Sequence, residues 1–350
     1  MNGPLLLSVA DLADGAAHAP LLGPDAAPAD PLMGIDLSSA PSAPVLSRAV
    51  ERAGSHDRLL VGVHAGRGLT EAARALAAHL DLTLIRSGRT APRTYVGVAD
   101  PEAALAGLGE GVSADPRASF VLGGVLRASA ALPVAEALDV ESFAYSTLLA
   151  GPEFASWLAG RGSVAPPPEV AEPVLAAREG DTLRLTLNRP ERRNAYGRLL
   201  RDALVEGLAV AESDPSVRRV LLDGAGPVFC AGGDLAEFGT TPDLVTAHLV
   251  RTRGGAALPL HRLRDRLTVR VHGRCVGAGV ELPAFAGTLI ADPAATFRLP
   301  EIAMGLIPGA GGTVSLPRRI GRWRTLYLAL TAVELDAPTA LSWGLVDRLA

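Results

Sequence analysis

Apolar side chains recur along the chain with two different spacings, which predicts a mixed α/β protein. Short apolar runs of strand length occur in both halves, and Leu59 to Val63 is the clearest in the first. Residues 181–188 alternate apolar and polar positions, which is typical of a half-solvated strand. Residues 69–80 and 194–212 instead repeat apolar positions at helical spacing. Because strands and helices alternate throughout the second half, that half is predicted to be α/β.

The same two spacings predict further elements. Residues 116–161 have a helical pattern, and a shorter helix is predicted over 102–108. Further strands are predicted at 82–85, 94–98, 219–222, 268–271, 288–291 and 296–299.

Three regions are expected along the chain. Residues 1–45 are rich in Ala, Pro, Gly and Asp with weak periodicity, which predicts a poorly ordered arm lying on another surface. Residues 46–165 are interpreted as an N-terminal α/β and helical region. The proline run that begins at Val164 predicts a stiff linker. The core domain is therefore expected over residues 166–350.

Length and composition exclude several classes of function. The chain has 350 residues, which allows two domains or one large elaborated domain. Its 37 acidic and 33 basic residues give a net charge of −4, so no basic field suggests nucleic acid. Every basic residue is Arg, which excludes a P-loop lysine and a Schiff-base lysine. No apolar run is long enough for a membrane span, and no basic signal-peptide region starts the chain.

Cysteine and histidine are too sparse for a metal site. Cys230 and Cys275 are the two cysteines, and they cannot form a disulfide framework or a zinc site alone. The seven histidines have no metal-ligand spacing. We therefore expect a cytoplasmic protein that holds no metal.

Two glycine-rich turns between a strand and a helix are the first candidate for chemistry. One is Phe229–Leu235 and the other is Gly277-Ala278-Gly279. Glycine lets a backbone approach a ligand closely, and a helix that starts after it presents free N–H groups. Two such groups aimed at one point would stabilise an oxyanion. Two ordinary tight turns are the alternative, and neither turn has the full G-x-G-x-x-G of a dinucleotide site.

Two carboxylates stand in apolar surroundings near these turns. Glu281 begins an otherwise apolar helix, and Glu301 follows Pro300 in an apolar loop. Burial would raise their pKa values toward the range useful for general acid/base catalysis. The alternatives are a helix-dipole partner for Glu281 and a solvated loop residue for Glu301.

Five motifs in order, between Leu185 and Leu349, resemble the crotonase (enoyl-CoA hydratase/isomerase) family. They are Leu187-Asn188-Arg189-Pro190 with Asn194-Ala195, then Phe229–Leu235, Val271–Glu281, Leu299-Pro300-Glu301 and Gly305–Thr313. The resemblance implies an α/β fold with a crotonase-like β-β-α spiral core, here with an additional N-terminal α/β and helical region. It also implies an acyl-CoA substrate, no cofactor beyond the coenzyme A of that substrate, and a homo-oligomer, either a trimer or a hexamer.

The resemblance also implies roles for particular residues. The backbone N–H groups of Gly233 and Ala278 correspond to the oxyanion hole, and Glu281 and Glu301 to the catalytic pair. Residues implied to contact substrate are Ala231, Gly232, Asp234, Gly277, Pro308 and Gly309. Of two arginine groups that could meet the coenzyme A phosphates, Arg189–Arg193 is favoured over the group at 262–274.

The presence of both glutamates favours enoyl-CoA hydration, in which Glu281 delivers water and Glu301 supplies a proton. The alternatives are an enoyl-CoA isomerase, an acyl-CoA hydrolase, a cofactor-free aryl-acyl-CoA dioxygenase, and a non-catalytic assembly protein. The family usually continues with closing helices beyond the position of Asp347. Residues 93–165 are similar to that tail, so we expect a circular permutation; a separate N-terminal helical domain is the competing interpretation. The permutation requires helices 116–160 to cover the active site.

Overall fold

Two large β-sheets organise the molecule, one in each half of the chain. A computed structural model describes residues 3–24, 26–66, 69–87, 92–162, 164–165 and 170–350. The first sheet has five strands, which pair in chain order and all run parallel. Its strands are β1 (Leu5–Ser8), β2 (Leu32–Asp36), β3 (Leu59–His64), β4 (Leu82–Arg86) and β5 (Val96–Val98).

Both faces of the first sheet are covered, as a parallel sheet requires. On β3, Leu59 and Val61 belong to the main apolar core, whereas Leu60 belongs to a second apolar cluster on the opposite face. That second cluster is closed by α1 (Val9–Ala13), α2 (Ala43–Gly54) and α3 (Glu71–Ala77). The main-core face is covered by α4 (Pro101–Ala114) and α5 (Pro116–Ser129).

Residues 1–45 were predicted to be a poorly ordered arm, and the structure contradicts this from Gly3 onward, apart from residue 25, which it does not describe. Strands β1 and β2 pair with each other, and β2 pairs with β3, so this segment forms one side of the first sheet. Leu7, Leu12 and Ile35 are buried in the second apolar cluster. The prediction failed because strands of four or five residues, separated by Ala/Pro/Gly-rich loops, leave little periodicity to detect.

The second sheet has six strands in the spatial order β14-β11-β9-β8-β7-β6. All its neighbours are parallel except the hairpin of β6 and β7. The strands are β6 (Val174–Glu179), β7 (Thr182–Leu187), β8 (Arg219–Gly224), β9 (Leu267–Val271), β11 (Thr288–Ala291) and β14 (Arg348–Leu349). A smaller sheet joins β10 (Arg274–Val276), β12 (Thr296–Arg298) and β13 (Leu335–Asp336).

Helices α8 to α13 accompany the second sheet. They are α8 (Arg198–Ser213), α9 (Leu244–Arg253), α10 (Ala257–Arg262), α11 (Ala278–Glu281), α12 (Gly312–Thr331) and α13 (Ala337–Trp343). Helix α8 starts four residues later than predicted, because Arg193 and Asn194 have positive φ angles. The arrangement is the α/β fold predicted from the sequence, with an additional N-terminal α/β and helical region.

Helix α12 joins the two halves. Its residues Arg322 and Trp323 donate hydrogen bonds to the Leu80 carbonyl, at distances of 3.0 and 3.1 Å. Beside that carbonyl, the buried Asp81 accepts from His56 Nε2 at 2.8 Å and from Arg127 Nη1 at 2.7 Å. Asp81 therefore connects the first sheet, α5 and α12 at one point.

The predicted helical segment 116–161 forms α5, α6 (Val134–Leu149) and α7 (Pro152–Arg161). The predicted proline linker lies largely outside the described residues, and the hairpin strand β6 after it was not predicted. Within the described ranges, no helix is long and apolar enough to cross a membrane.

Candidate active site

A cavity of about 250 Å³ opens between α6 and the two glycine-rich turns. Both candidate glutamates line it, as do Gly233 and Ala278. Its other walls come from α6, from the first turn of α8, and from α9 with the start of α10. The loop before α12 closes it through Gly309, Ala310 and Gly311.

The two glycine-rich turns pack directly on each other. Val276 N donates to the Cys230 carbonyl at 3.1 Å. A Cβ atom on Gly279 would lie 2.1 Å from the same carbonyl oxygen, so only glycine allows this approach. Among the described residues, the N–H groups of Gly233 and Ala278 donate no hydrogen bond, although both residues line the cavity. Two free backbone donors from separate turns therefore border one space.

Asp234 holds the first turn in place. Its carboxylate accepts from Arg192 at 2.7 Å and lies 3.5 Å from the buried Arg189 Nη1. It also caps Ala236 N at 3.1 Å. These contacts direct Arg189 and Arg192 inward to the turn, which leaves the expected role of Arg189–Arg193 in phosphate binding without support.

Glu281 points into the cavity from the end of α11. Its Oε2 accepts from Ala310 N at 2.7 Å and from Gly312 N at 2.9 Å. Burial raises the pKa of this carboxyl well above its usual value, and the nearby charges of Glu301 and Glu141 raise it further. The two backbone N–H bonds act in the opposite direction, because they favour the ionised form.

Glu301 approaches from the other side, directly after Pro300. Its Oε2 is buried and has no hydrogen-bond partner among the described residues. A Cβ atom on Gly277 would lie 2.5 Å from Glu301 Oε1, so this carboxyl packs directly against the second glycine turn. Burial raises the pKa of Glu301 to about 8. The alternative of a solvated loop residue is therefore excluded.

A third buried carboxylate, Glu141 on α6, was not predicted. It accepts from Gly311 N at 2.8 Å, and from Thr313 N at 2.9 Å and Thr313 Oγ1 at 2.7 Å. Burial raises its pKa to about 7 despite these bonds. The four successive N–H groups of residues 310–313 thus donate alternately to Glu281 and Glu141. Helical spacing gave the available signal, since Glu141 lies between Leu138 and Tyr145 on the apolar face of α6.

Tyr145 of α6 is one of the residues that line the cavity. Its ring packs on Gly309, where a Cβ atom would lie 2.3 Å from the ring carbons. The Arg251 guanidinium lies 4.7 Å above the centre of the same ring. Burial raises the pKa of the Tyr145 hydroxyl, so it stays protonated.

The predicted site residues fall into two groups. Gly233, Asp234, Ala278, Glu281, Glu301 and Gly309 line the cavity. Ala231, Gly232, Gly277 and Pro308 are not among its lining residues, although Gly232, Gly277 and Pro308 each precede a residue that is. Gly232 and Gly277 act through the backbone, with φ angles of +97° and +49° that form the two turns.

Helices α6 and α7 cover this site. Helix α6 lines the cavity through residues from Leu138 to Leu149. On α7, Arg161 donates to the Leu235 carbonyl, and Trp157 packs edge-on against Phe238. The circular permutation requires this cover, and the correspondence of these helices to the family's tail stays a prediction.

Comparison with known proteins gives matches to the second half of the chain. The model of the family described as enoyl-CoA hydratase/isomerase matches residues 178–350. The 1,2-epoxyphenylacetyl-CoA isomerase of Escherichia coli is 37% identical over 178 residues, or 49% of this chain and 68% of that protein. The mevalonyl-coenzyme A hydratase SIDH of Beauveria bassiana is 34% identical over 191 residues, or 52% of this chain and 68% of that protein.

A solved enoyl-CoA hydratase from Mycobacterium smegmatis is 32% identical, with a TM-score of 0.47 over 51% of this chain and 70% of that one. The two curated relatives are enzymes with different reactions in their names, one an isomerase and the other a hydratase. Both identities exceed 30% and extend over about two thirds of each relative's length. The chain therefore belongs to the enoyl-CoA hydratase/isomerase, or crotonase, family.

Proposed function

We propose that this enzyme binds an acyl-CoA thioester in the cavity and adds water to a 2-enoyl group, or removes it in the reverse, lyase direction. The observation that carries the proposal is the pair of buried carboxyls, Glu281 and Glu301, in the same cavity as two free backbone N–H groups. Their presence in one cavity matters because each carboxyl or N–H group, taken alone, could have a purely structural role.

The thioester oxygen would accept hydrogen bonds from Gly233 N and Ala278 N. When the acyl chain is attacked, negative charge develops on that oxygen as an enolate forms. Preorganised donors of this kind are worth roughly 3–4 kcal/mol each in the transition state. The side chain of Ala278 does not interfere, because its donor belongs to the backbone.

The two glutamates would divide acid and base roles. Both carboxyls have raised pKa values, and two coupled acids at one site share protons as a pair. Glu281 accepts two backbone N–H bonds, which favour its charged form, whereas Glu301 Oε2 accepts none. The shared proton therefore belongs preferentially on Glu301. Glu281, as the base, helps water to attack Cβ, and Glu301 gives its proton to Cα.

A panel of 2-enoyl-CoA thioesters tests the proposal, with loss of the enoyl-thioester absorbance as the readout. Wild type is compared with Glu281→Gln and Glu301→Gln, and kcat is expected to fall at least ~100-fold in each. Arg253→Gln is the matched surface control, since Arg253 pairs with Asp139 away from the cavity. Unchanged rates in both Gln variants, or double-bond migration without hydration, would contradict the proposal. Trimer or hexamer assembly and cytoplasmic location stay predictions.

A further inference from the structure

Arg251 of α9 stands in the cavity wall in a fixed position. Its Nε donates to Ser142 Oγ at 3.1 Å, and its Nη2 donates to the Ser142 carbonyl at 3.2 Å and to Ser146 Oγ. Its planar face stacks on Tyr145, 4.7 Å from the ring centre. Because every one of these partners belongs to α6, the guanidinium is held rigidly against one helix.

Arg251 has no acidic partner in the part of the chain that the structure describes. Glu141 is close enough to influence the pKa of Arg251, but its two oxygens accept hydrogen bonds from Gly311 N and Thr313 N. The Nη1 group of Arg251 donates no hydrogen bond to a described residue, and it is not enclosed. A guanidinium that is partly buried without a counter-ion is costly, and a bound anion would remove that cost.

The position of Arg251 indicates which part of a substrate would meet it. Tyr145 separates it from the catalytic loop: one face of the ring carries Arg251, and the ring packs on Gly309. A thioester held at Gly233 and Ala278, with its reacting carbons toward the glutamates, would extend its acyl chain past Tyr145. Arg198 and Arg201 also line the cavity, from α8, and are separate candidates for the coenzyme A phosphates.

We propose that Arg251 binds a carboxylate at the distal end of the acyl chain, so that the preferred substrates are mono-CoA thioesters of dicarboxylic acids. This inference rests on the proposed function and adds the class of acyl group. Arginine suits the role because its planar fork matches the two oxygens of a carboxylate. The competing explanation is that Arg251 only fixes α9 to α6.

Binding of saturated thioesters separates these explanations without turnover. We would measure, by calorimetry, glutaryl-CoA against pentanoyl-CoA, adipyl-CoA against hexanoyl-CoA, and coenzyme A alone. Wild type should bind the better-fitting dicarboxylic thioester about tenfold or more tightly than its neutral partner. Arg251→Gln should lose about tenfold to a hundredfold in affinity for that thioester and keep its affinity for the neutral partner and for coenzyme A.

The control is Arg253→Gln, which removes a different contact between α9 and α6, the exposed pair with Asp139. It should leave all affinities unchanged. Equal losses by Arg251→Gln for both members of a pair would assign Arg251 a structural role and overturn the inference. A loss of affinity for free coenzyme A in Arg251→Gln would identify a phosphate as the bound anion and would also overturn the inference.

Two further outcomes keep the two proposals distinct. If wild type binds the neutral thioesters but shows no preference within either pair, this inference fails while the proposed function stands. If no thioester binds, both fail. Should Arg251→Gln not fold, the wild-type preference and the Arg251→Lys variant still decide the matter, since Lys keeps the charge and should retain part of the preference.

Discussion

Two buried acidic sites, one in each half of the molecule, have opposite surroundings. Asp81, beside the first sheet, is paired with Arg127 at 2.7 Å, with Arg322 at 3.5 Å, and with His56. The glutamates of the cavity form no ion pair within the described residues. Burial acts on both sites and raises the pKa. At Asp81 the hydrogen bond from His56 and the charge of Arg127 outweigh burial, so its pKa lies below the usual value.

This difference separates a structural acid from a reactive one. A buried carboxylate whose partners are all present is locked in its charged form and connects elements. A buried carboxyl without a cation keeps a pKa near the working pH, where it can give and take a proton. Burial alone therefore does not mark a catalytic acid; a catalytic acid must also lack a cation and have an oxygen free of fixed partners, as Glu301 Oε2 does.

The largest expected effect is on the free energy of unfolding, when the ion pairs of Asp81 are removed. Asp81→Asn leaves Arg127 and Arg322 without their anion at the junction of the two halves. We expect a loss of about 3–5 kcal/mol in the free energy of unfolding, measured by urea denaturation. Turnover of the remaining folded enzyme should not change. Glu301→Gln is the control with the reverse pattern, and a comparable stability loss in that variant would contradict the distinction.

The two sites should also affect stability in different pH ranges and with opposite sign. The pKa of Glu301 is raised from 4.5 to about 8, so its contribution is complete below pH 4.5 and is lost as pH rises through 8. Glu301→Gln should therefore flatten the fall in stability between pH 6 and 8, by about 2 kcal/mol. The pKa of Asp81 is lowered from 3.8, so its contribution is lost as pH falls below that value. Denaturation measured from pH 3 to pH 8 tests both, and an unchanged slope between pH 6 and 8 in Glu301→Gln would contradict the raised pKa of Glu301.

Glu141 gives a smaller effect. Its two oxygens accept three hydrogen bonds, and the amide of Glu141→Gln would place an N–H group against a backbone donor. We expect a stability loss of about 1–2 kcal/mol. We also expect kcat to fall about tenfold, because the loop that holds Glu281 is loosened. Thr313→Val removes only the hydroxyl bond and should change both quantities less. Equal effects in the two variants would show that the carboxylate has no special part in holding the loop.

The smallest effect is expected at Tyr145. Its hydroxyl donates no hydrogen bond to a described residue, whereas its ring supports Gly309 and Arg251. Tyr145→Phe keeps the ring, so kcat/KM should change by less than about threefold. Tyr145→Ala removes that support and should weaken both turnover and stability. A large loss in Tyr145→Phe would instead identify the hydroxyl as a third proton-transfer group.

Short sequence patterns were sufficient to predict those parts of the candidate site that depend on residues close together in the chain. The two glycine turns and both glutamates were selected from their local sequence, and Gly233, Ala278, Glu281 and Glu301 line one cavity. The direction of Arg189 and Arg192 could not be predicted, because arginines in one short segment look like a phosphate site whether they point outward or inward. Only the position of Asp234, more than forty residues along the chain from either of its arginine partners, decides their direction.

The sequence by itself determined the α/β class, the family, and the two acids placed next to apolar residues and glycine turns, because those features are local and ordered along the chain. Only the tertiary structure decided that β1 and β2 complete a sheet and that α6 brings Glu141, Tyr145 and the partners of Arg251 to the cavity. The physical reason is distance along the chain: Glu141 and Thr313 are separated by 172 positions, and no pattern within a helix can specify which distant backbone amides its carboxylate will meet.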